Sequence, residues 1–229
     1  MPERTRPVLL VCLARSFGGA EVRVLQIATA LHGLRSYSVA TLDDSPLFNR
    51  LVERGLSALP IGRGRADPRL LGRLWRAIRS GAYEVVDAHN PQSQFWGLCA
   101  ATLARAPIRI STVHSEYALA DGSSWKRLLY VGVLCLNHAL GCRFIAVSAG
   151  IARSVRALGA REDKVAVNAN GLALNWSPSS TSPGLRAELG WTDAAVVGVV
   201  ARLVPIKGHA YLLEPSPGSV EPGRTFADS

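Results

Sequence analysis

The sequence predicts an α/β fold, a parallel sheet with helices on both faces. Three observations predict it. From Pro7 to about Val167 short β-branched runs alternate with longer segments of helical period. A glycine turn follows the first apolar run. The segment 68–80 is plainly amphipathic: Leu70, Leu71, Leu74, Trp75 and Ile78 form one stripe, while Arg69, Arg73, Arg76 and Arg79 lie elsewhere.

Each element has its own signal. The expected strands are Val8–Ala14, Tyr37–Leu42, Leu56–Ile61, Val85–Ala88, Ile108–Val113, Phe144–Val147 and Val165–Val167. Helices are expected near 20–33, 46–54, 68–80, 92–105, 124–140 and 149–158. Arg4 and Arg6 precede Val8–Ala14 in the manner of an export signal, but Arg15 interrupts the apolar run after seven residues, so it reads as a buried first strand. Residues 175–184, Asn-Trp-Ser-Pro-Ser-Ser-Thr-Ser-Pro-Gly, break the alternation and read as a linker. The organisation expected is therefore a first domain over 1–174, the linker, the start of a second domain over 185–214, and an irregular tail over 215–229. In that second unit Leu185–Leu189 reads as a short helix, Ala195–Ala201 as a buried parallel strand and Lys207–Glu214 as the start of a helix. A single strand has neither the ladder nor the two covering faces a parallel sheet needs. The second domain is expected to be truncated.

Composition excludes several classes. With 48% hydrophobic and 19% charged residues the chain is neither disordered, collagen-like nor a disulfide-dense mini-protein. No apolar run approaches the roughly 18 residues of a membrane span. Cys12, Cys99, Cys135 and Cys142 lie in apolar surroundings without a C-x-x-C pair, the pattern of small buried thiols in a reducing cytoplasm rather than of zinc ligands. The net charge is +9, and 23 of the 26 cations are Arg, which forks onto phosphates and carboxylates. Nucleic acid, anionic lipid and phosphorylated ligands all remain compatible with that excess, as does a coding bias.

Three places carry candidate chemistry. Arg15-Ser16-Phe17-Gly18-Gly19-Ala20-Glu21 opens a helix whose first amides lack intrahelical partners, so two glycines would let an anion approach them. This spacing is not G-x-G-x-x-G, and no Gly-Lys dipeptide supplies a Walker A loop. A tight turn that binds nothing would use the same residues. Next, Asp87-Ala88-His89-Asn90 and His114-Ser115-Glu116 end two strands, placing both histidines at the carboxyl edge where open α/β sheets bind ligands. A structural, hydrogen-bonded role is open for each, and a metal at Asp87 and His89 lacks a third ligand at suitable spacing. Finally, Ala201-Arg202-Leu203-Val204-Pro205-Ile206-Lys207-Gly208 puts two cations five residues apart in a loop where they can converge on a diphosphate.

Taken together the chain resembles glycosyltransferase family 4, retaining enzymes with two Rossmann-like domains in the GT-B arrangement. The resemblance rests, in order, on Gly18-Gly19-Ala20-Glu21, Val85 to Asn90, Thr112-Val113-His114, Phe144 to Ser148, Asn170-Gly171 and Ala201-Arg202 to Lys207-Gly208, covering 8 to about 213. It implies a Rossmann-like, acceptor-side first domain and a Rossmann-like, donor-binding second one. It further implies retaining transfer of a hexose-type sugar from a nucleotide-diphosphate sugar to a lipid, saccharide or other acceptor in glycan biosynthesis, with no cofactor and no metal.

By the same resemblance Arg202 and Lys207 hold the donor diphosphate with Gly18 and Gly19, His114 is the catalytic-site residue beside the transferred sugar, and Glu21, His89, Asn90, Ser148 and Asn170 line the acceptor cleft. The implied setting is cytoplasmic and peripheral at the inner membrane face. Helix 68–80 and Lys126-Arg127 either rest on that anionic surface or form a plain solvated face. No nucleic acid is expected. Three departures stand out. Asp87 replaces a frequent His, Leu172-Ala173 follows Asn170-Gly171 where Ile/Val-Asp is common, and the second domain's E-x7-E motif is missing, since Glu214 and Glu221 have only six residues between them. The expectation is a truncated chain, inactive or nearly so by itself. The competing class is a non-catalytic module that binds anionic lipid or nucleic acid on one Rossmann-like domain, with a nicotinamide oxidoreductase further off.

Overall fold

A computed structural model of the chain describes residues 6–115 and 124–171, together with 184, 188, 198–201, 203 and 207–213. The chain divides into two compact units, 1–170 and 171–229.

In the first unit β1 (Val8–Cys12), β2 (Tyr37–Leu42), β3 (Ala58–Gly62), β4 (Val85–His89), β5 (Ile108–Val113), β6 (Arg143–Ala146) and β7 (Val165–Val167) form a wholly parallel sheet. Its order is β3-β2-β1-β4-β5-β6-β7. The helices are α1 (Gly19–Leu31), α2 (Pro46–Glu53), α3 (Arg69–Ser80), α4 (Pro91–Leu103), α5 (Ser124–Ala139) and α6 (Ala149–Ala157). The α/β, Rossmann-like fold expected from the sequence is the one observed.

The period of two in β1 divides the core. Leu9, Val11 and Leu13 pack with Leu70, Leu74 and Ile78 of α3 and Leu98 of α4, whereas Val8, Leu10 and Cys12 pack with Val24 and Leu25 of α1 and Leu47 and Leu51 of α2. Helices α1 and α4 therefore leave neighbouring strands for opposite faces. A third cluster joins Val113 and Phe144 to Ile151 and Val155 of α6. Helix α4 lies close on the sheet at Gly97, where a Cβ would sit 3.2 Å from Val11. Edge strand β3 tolerates Pro60, because only one side of its ladder needs donors.

The element boundaries differ from the expected ones where a local bond intervenes. Strand β1 ends at Cys12, not Ala14, because the Leu13 amide donates to Ser93 Oγ at 2.8 Å instead of continuing the ladder. Strand β3 starts at Ala58, not Leu56, whose amide closes the end of α2 on the Leu51 carbonyl at 2.9 Å. Strand β6 is shifted one residue, to Arg143–Ala146. In α3 the buried stripe is Leu70, Leu74 and Ile78, while Trp75, expected in it, is 42% exposed. The four arginines of α3 are all exposed. Of the thiols expected to be buried, only Cys12 and Cys142 are; Cys99 is half-buried and Cys135 exposed.

In the second unit the described residues include one short helix, α7 (His209–Leu213). Gly198–Ala201, part of the expected buried strand 195–201, are exposed and carry no strand. A strand without a ladder partner has no reason to persist. The rest of that run, Leu185–Leu189 apart from Glu188, Arg202, the linker apart from Gly184, Glu214, Glu221 and the tail lie outside the described residues. Among the described residues no helix is long and apolar enough to cross a membrane.

Candidate functional site

The strand order reverses direction between β1 and β4, so the crevice of the sheet opens at their carboxyl ends. Residues Gly18 and Gly19 follow β1 there, and His89 and Asn90 end β4. The sequence motifs from two distant parts of the first unit are thus brought to one edge.

The glycine turn is pinned from below. Glu21 is buried, and its Oε2 accepts the Gly18 amide at 2.9 Å while its Oε1 accepts the Cys12 thiol at 3.7 Å. Burial first and Glu21 second push the Cys12 thiol far up, so it stays protonated and keeps donating. Glu21 is therefore spent on shaping the turn rather than lining a cleft. Gly18 has φ −147°, an extended value any residue adopts, and neither it nor Gly19 is among the glycines with positive φ. Conformation does not explain the pair. A Cβ at Gly19 would meet nothing within 4 Å, so what glycine leaves there is open space beside the first amides of α1, which have no intrahelical partner.

Asn90 has φ 69° and caps α4, its Oδ1 accepting the Ser93 amide at 3.0 Å and the Ser93 hydroxyl at 2.9 Å. Its Nδ2 donates to Cys12 Sγ at 3.6 Å. The glycine turn, β1 and the start of α4 are consequently one hydrogen-bonded unit. Ser148 has a similar local task, capping α6 by accepting the Ile151 amide at 3.2 Å.

The two histidines meet. In the β4–β5 register His89 stands opposite Thr112, two residues before His114, and His89 Nδ1 lies 2.9 Å from His114 Nε2. The other ring nitrogen of His89, Nε2, lies 3.4 Å from Asp87 Oδ2, and Asp87 Oδ1 accepts the Thr112 hydroxyl at 2.7 Å. Burial alone would raise the Asp87 carboxyl, but His89 and the Thr112 hydroxyl together hold it below its ordinary value. An ionised Asp87 keeps a proton on His89 Nε2, and one further proton is shared between the facing nitrogens of the two rings. Burial, then His89, then Arg23 push His114 down to about 3 against the pull of Asp87, so its imidazole is neutral. His114 Nδ1 has no hydrogen-bond partner among the described residues. His89 is 0% exposed and bridges its neighbours from opposite sides of its ring, so it touches no open cleft. These three side chains form a line rather than converging on a point, and among the described residues no group of His, Cys, Asp and Glu has the arrangement of a metal site.

Arg23 is the residue the sequence reading missed. It is buried, and its Nη1 donates to Asn170 Oδ1 at 2.6 Å and to the Ala169 carbonyl at 3.2 Å, tying α1 to the end of the first unit. Its signal was available: Glu21 and Arg23 are the two charged residues of α1. Lys207 is exposed beside Gly208, whose φ of +70° requires glycine. Arg202 lies outside the described residues, so the two cations are not placed against each other.

Two cavities adjoin the carboxyl edge of the first unit. A polar one of about 410 Å³ is lined by Arg15, Asp43, Asp44, Ser45 and Arg63. An apolar one of about 320 Å³ lies between α4 and α5.

Comparison with known proteins agrees with this fold. The family model described as glycosyl transferase 4-like domain matches residues 18–171, about two-thirds of the chain. Among solved structures, HepE of Anabaena in complex with UDP and glucose superposes with a TM-score of 0.72 at 21% identity, covering 91% of this chain and 56% of its own. A glycosyltransferase of Rickettsia africae gives 0.59 at 17% identity, covering 82% and 48%. The chain spans a little over half the length of HepE. No match was found among curated proteins.

Proposed function

Because the chain belongs to the glycosyl transferase 4-like family, we propose that it is the acceptor-side portion of a retaining glycosyltransferase that uses a UDP-sugar. The observation that carries this reading is the carboxyl edge at the β1/β4 switch point, where Gly19 leaves open space beside the first amides of α1 after β1, and the neutral His114 follows the neighbouring strand β5. The structural neighbour HepE, bound to UDP and to UDP-glucose, supports the choice of nucleotide.

In this reading Arg202 and Lys207 of the second unit grip the donor diphosphate, while in the first unit the amides at Gly18-Gly19 offer an anion the positive end of the α1 dipole. As the sugar bond breaks, charge builds on the departing phosphate, and fixed cations and amides stabilise it more than they stabilise the ground state. That phosphate takes the acceptor proton on the same face, which gives retention. No metal is needed, since the two cations meet the charge a metal would otherwise meet. His114, half-buried at the end of β5, stands beside the transferred sugar, while Asp87 and His89 fix the ring behind it. The polar cavity at Arg15, Asp44 and Arg63 suits the hydroxyl-bearing head of the acceptor. Work at the cytoplasmic face of a membrane, with the exposed arginines of α3 toward anionic headgroups, completes the proposal.

Calorimetric titration with UDP tests it. UDP is expected to bind, and the Arg202→Ala/Lys207→Ala double variant to bind at least about tenfold more weakly, the loss of a charge-assisted phosphate contact. Equal affinity in the two proteins would overturn the assignment of these cations.

A further inference from the structure

The apolar cavity between α4 and α5 is lined by none of the residues assigned to the donor. Pro91, Phe95 and Trp96 form one wall and Gly132, Val133 and Leu136 the other. Pro91 is the first residue of α4, directly after Asn90, so the groove starts at the carboxyl edge of the sheet and leads away from it. On α5 the residues Trp125, Leu128, Leu129, Gly132 and Leu136 recur at helical spacing on one face. Yet Trp125 is 65% and Leu128 74% exposed. An apolar helix face left open to water beside an apolar groove marks a binding surface.

Charge identifies what fits it. Helices α3 and α5 carry Arg69, Arg73, Arg76, Arg79, Lys126 and Arg127, and α3, α4 and α5 contain no Asp or Glu. The three helices pack side by side. A cavity of about 320 Å³ is at the small end of ligand pockets, suited to a chain and not to a folded partner. The occupant must therefore be narrow, apolar and attached to negative charge.

We propose that the α4–α5 groove takes one aliphatic chain of an anionic, phosphate-bearing lipid, and that this chain anchors the acceptor with its head at the strand ends. The lipid nature of the occupant stands on the groove alone; its role as acceptor rests on the glycosyltransferase reading above.

Gly132 supplies the test, because a Cβ there meets nothing within 4 Å. Gly132→Phe puts a ring at a groove-lining position where the Cβ itself displaces no protein atom. The 229-residue chain is titrated calorimetrically with decyl phosphate below its micellar concentration, with inorganic phosphate, with decyl maltoside and, in parallel, with UDP. Decyl phosphate is expected to bind saturably and at least about tenfold more weakly to Gly132→Phe. Phe95→Asp, at a half-open position on the other wall, is expected to weaken it similarly, and Arg127→Glu to weaken decyl phosphate alone. Inorganic phosphate binding as well as decyl phosphate would overturn the chain site. Decyl maltoside binding as tightly would overturn the anionic lipid. Unchanged affinity in both groove variants would overturn the location. UDP affinity is expected to be the same in Gly132→Phe and the parent; its absence in both, with decyl phosphate still bound, overturns the donor-site assignment of Arg202 and Lys207 and leaves the lipid site standing.

Discussion

Acidification probes the histidine pair directly. His114 titrates at about 3 in the folded chain and at 6.5 when unfolded, so between those values the unfolded chain holds one proton more. Stability from this group is complete above the unfolded value and is lost as pH falls below it. At pH 5.0 the unfolded ring is favoured by a factor of about 30, which is about 2 kcal/mol, and partial solvent contact lowers the figure to about 1–2 kcal/mol. Asp87, held below its ordinary value, adds a loss of the same sign only when pH falls further, through the carboxylate range. The assay is urea unfolding followed by circular dichroism at pH 7.5 and 5.0, in the parent and in His114→Gln. With a urea dependence of about 2 kcal/mol per molar, the parent midpoint is expected to fall by about 0.5–1 M more than that of the variant. Equal shifts in both proteins, or a His114 ring seen by NMR to protonate near 6.5, would refute the argument.

The remaining structural predictions concern neighbours of the same crevice. Arg23→Met removes a positive charge that holds His114 down, so the NMR-observed titration of His114 is expected to move upward; no movement would separate Arg23 from the ring. Ser93→Ala leaves the buried Leu13 amide without its 2.8 Å acceptor and is expected to cost about 1–3 kcal/mol in chemical denaturation, with a change under about 0.5 kcal/mol contradicting the role given to that bond.

Much of this architecture was legible because a buried parallel strand and an amphipathic helix each write a local period into the chain. Tyr37–Leu42, Ile108–Val113 and Val165–Val167 coincide with expectation, and each of the six helices expected in the first unit is present within two residues. The misses come from bonds between distant residues. Ser93, eighty positions away, ends β1 by capturing the Leu13 amide, and no local pattern contains that fact. The same holds for chemistry. His89 and His114 were each placed at a strand end, but only the β4–β5 register shows that they face one another and that Asp87, noted as a departure from the family, stands behind them. Glu21 and Asn90 looked like cleft residues because polar groups at a sheet edge usually are; here they hold the turn and the cap in shape.

The central position of β1 has a consequence during synthesis. It is made before both of its partners, β2 and β4, and 72 residues lie between Cys12 and Val85. At about 5–20 residues per second the ribosome delivers β4 about 4–15 s after β1. Throughout that interval an entirely apolar ribbon waits with one flank unzipped, and the nascent protein must be shielded from its neighbours before it can close.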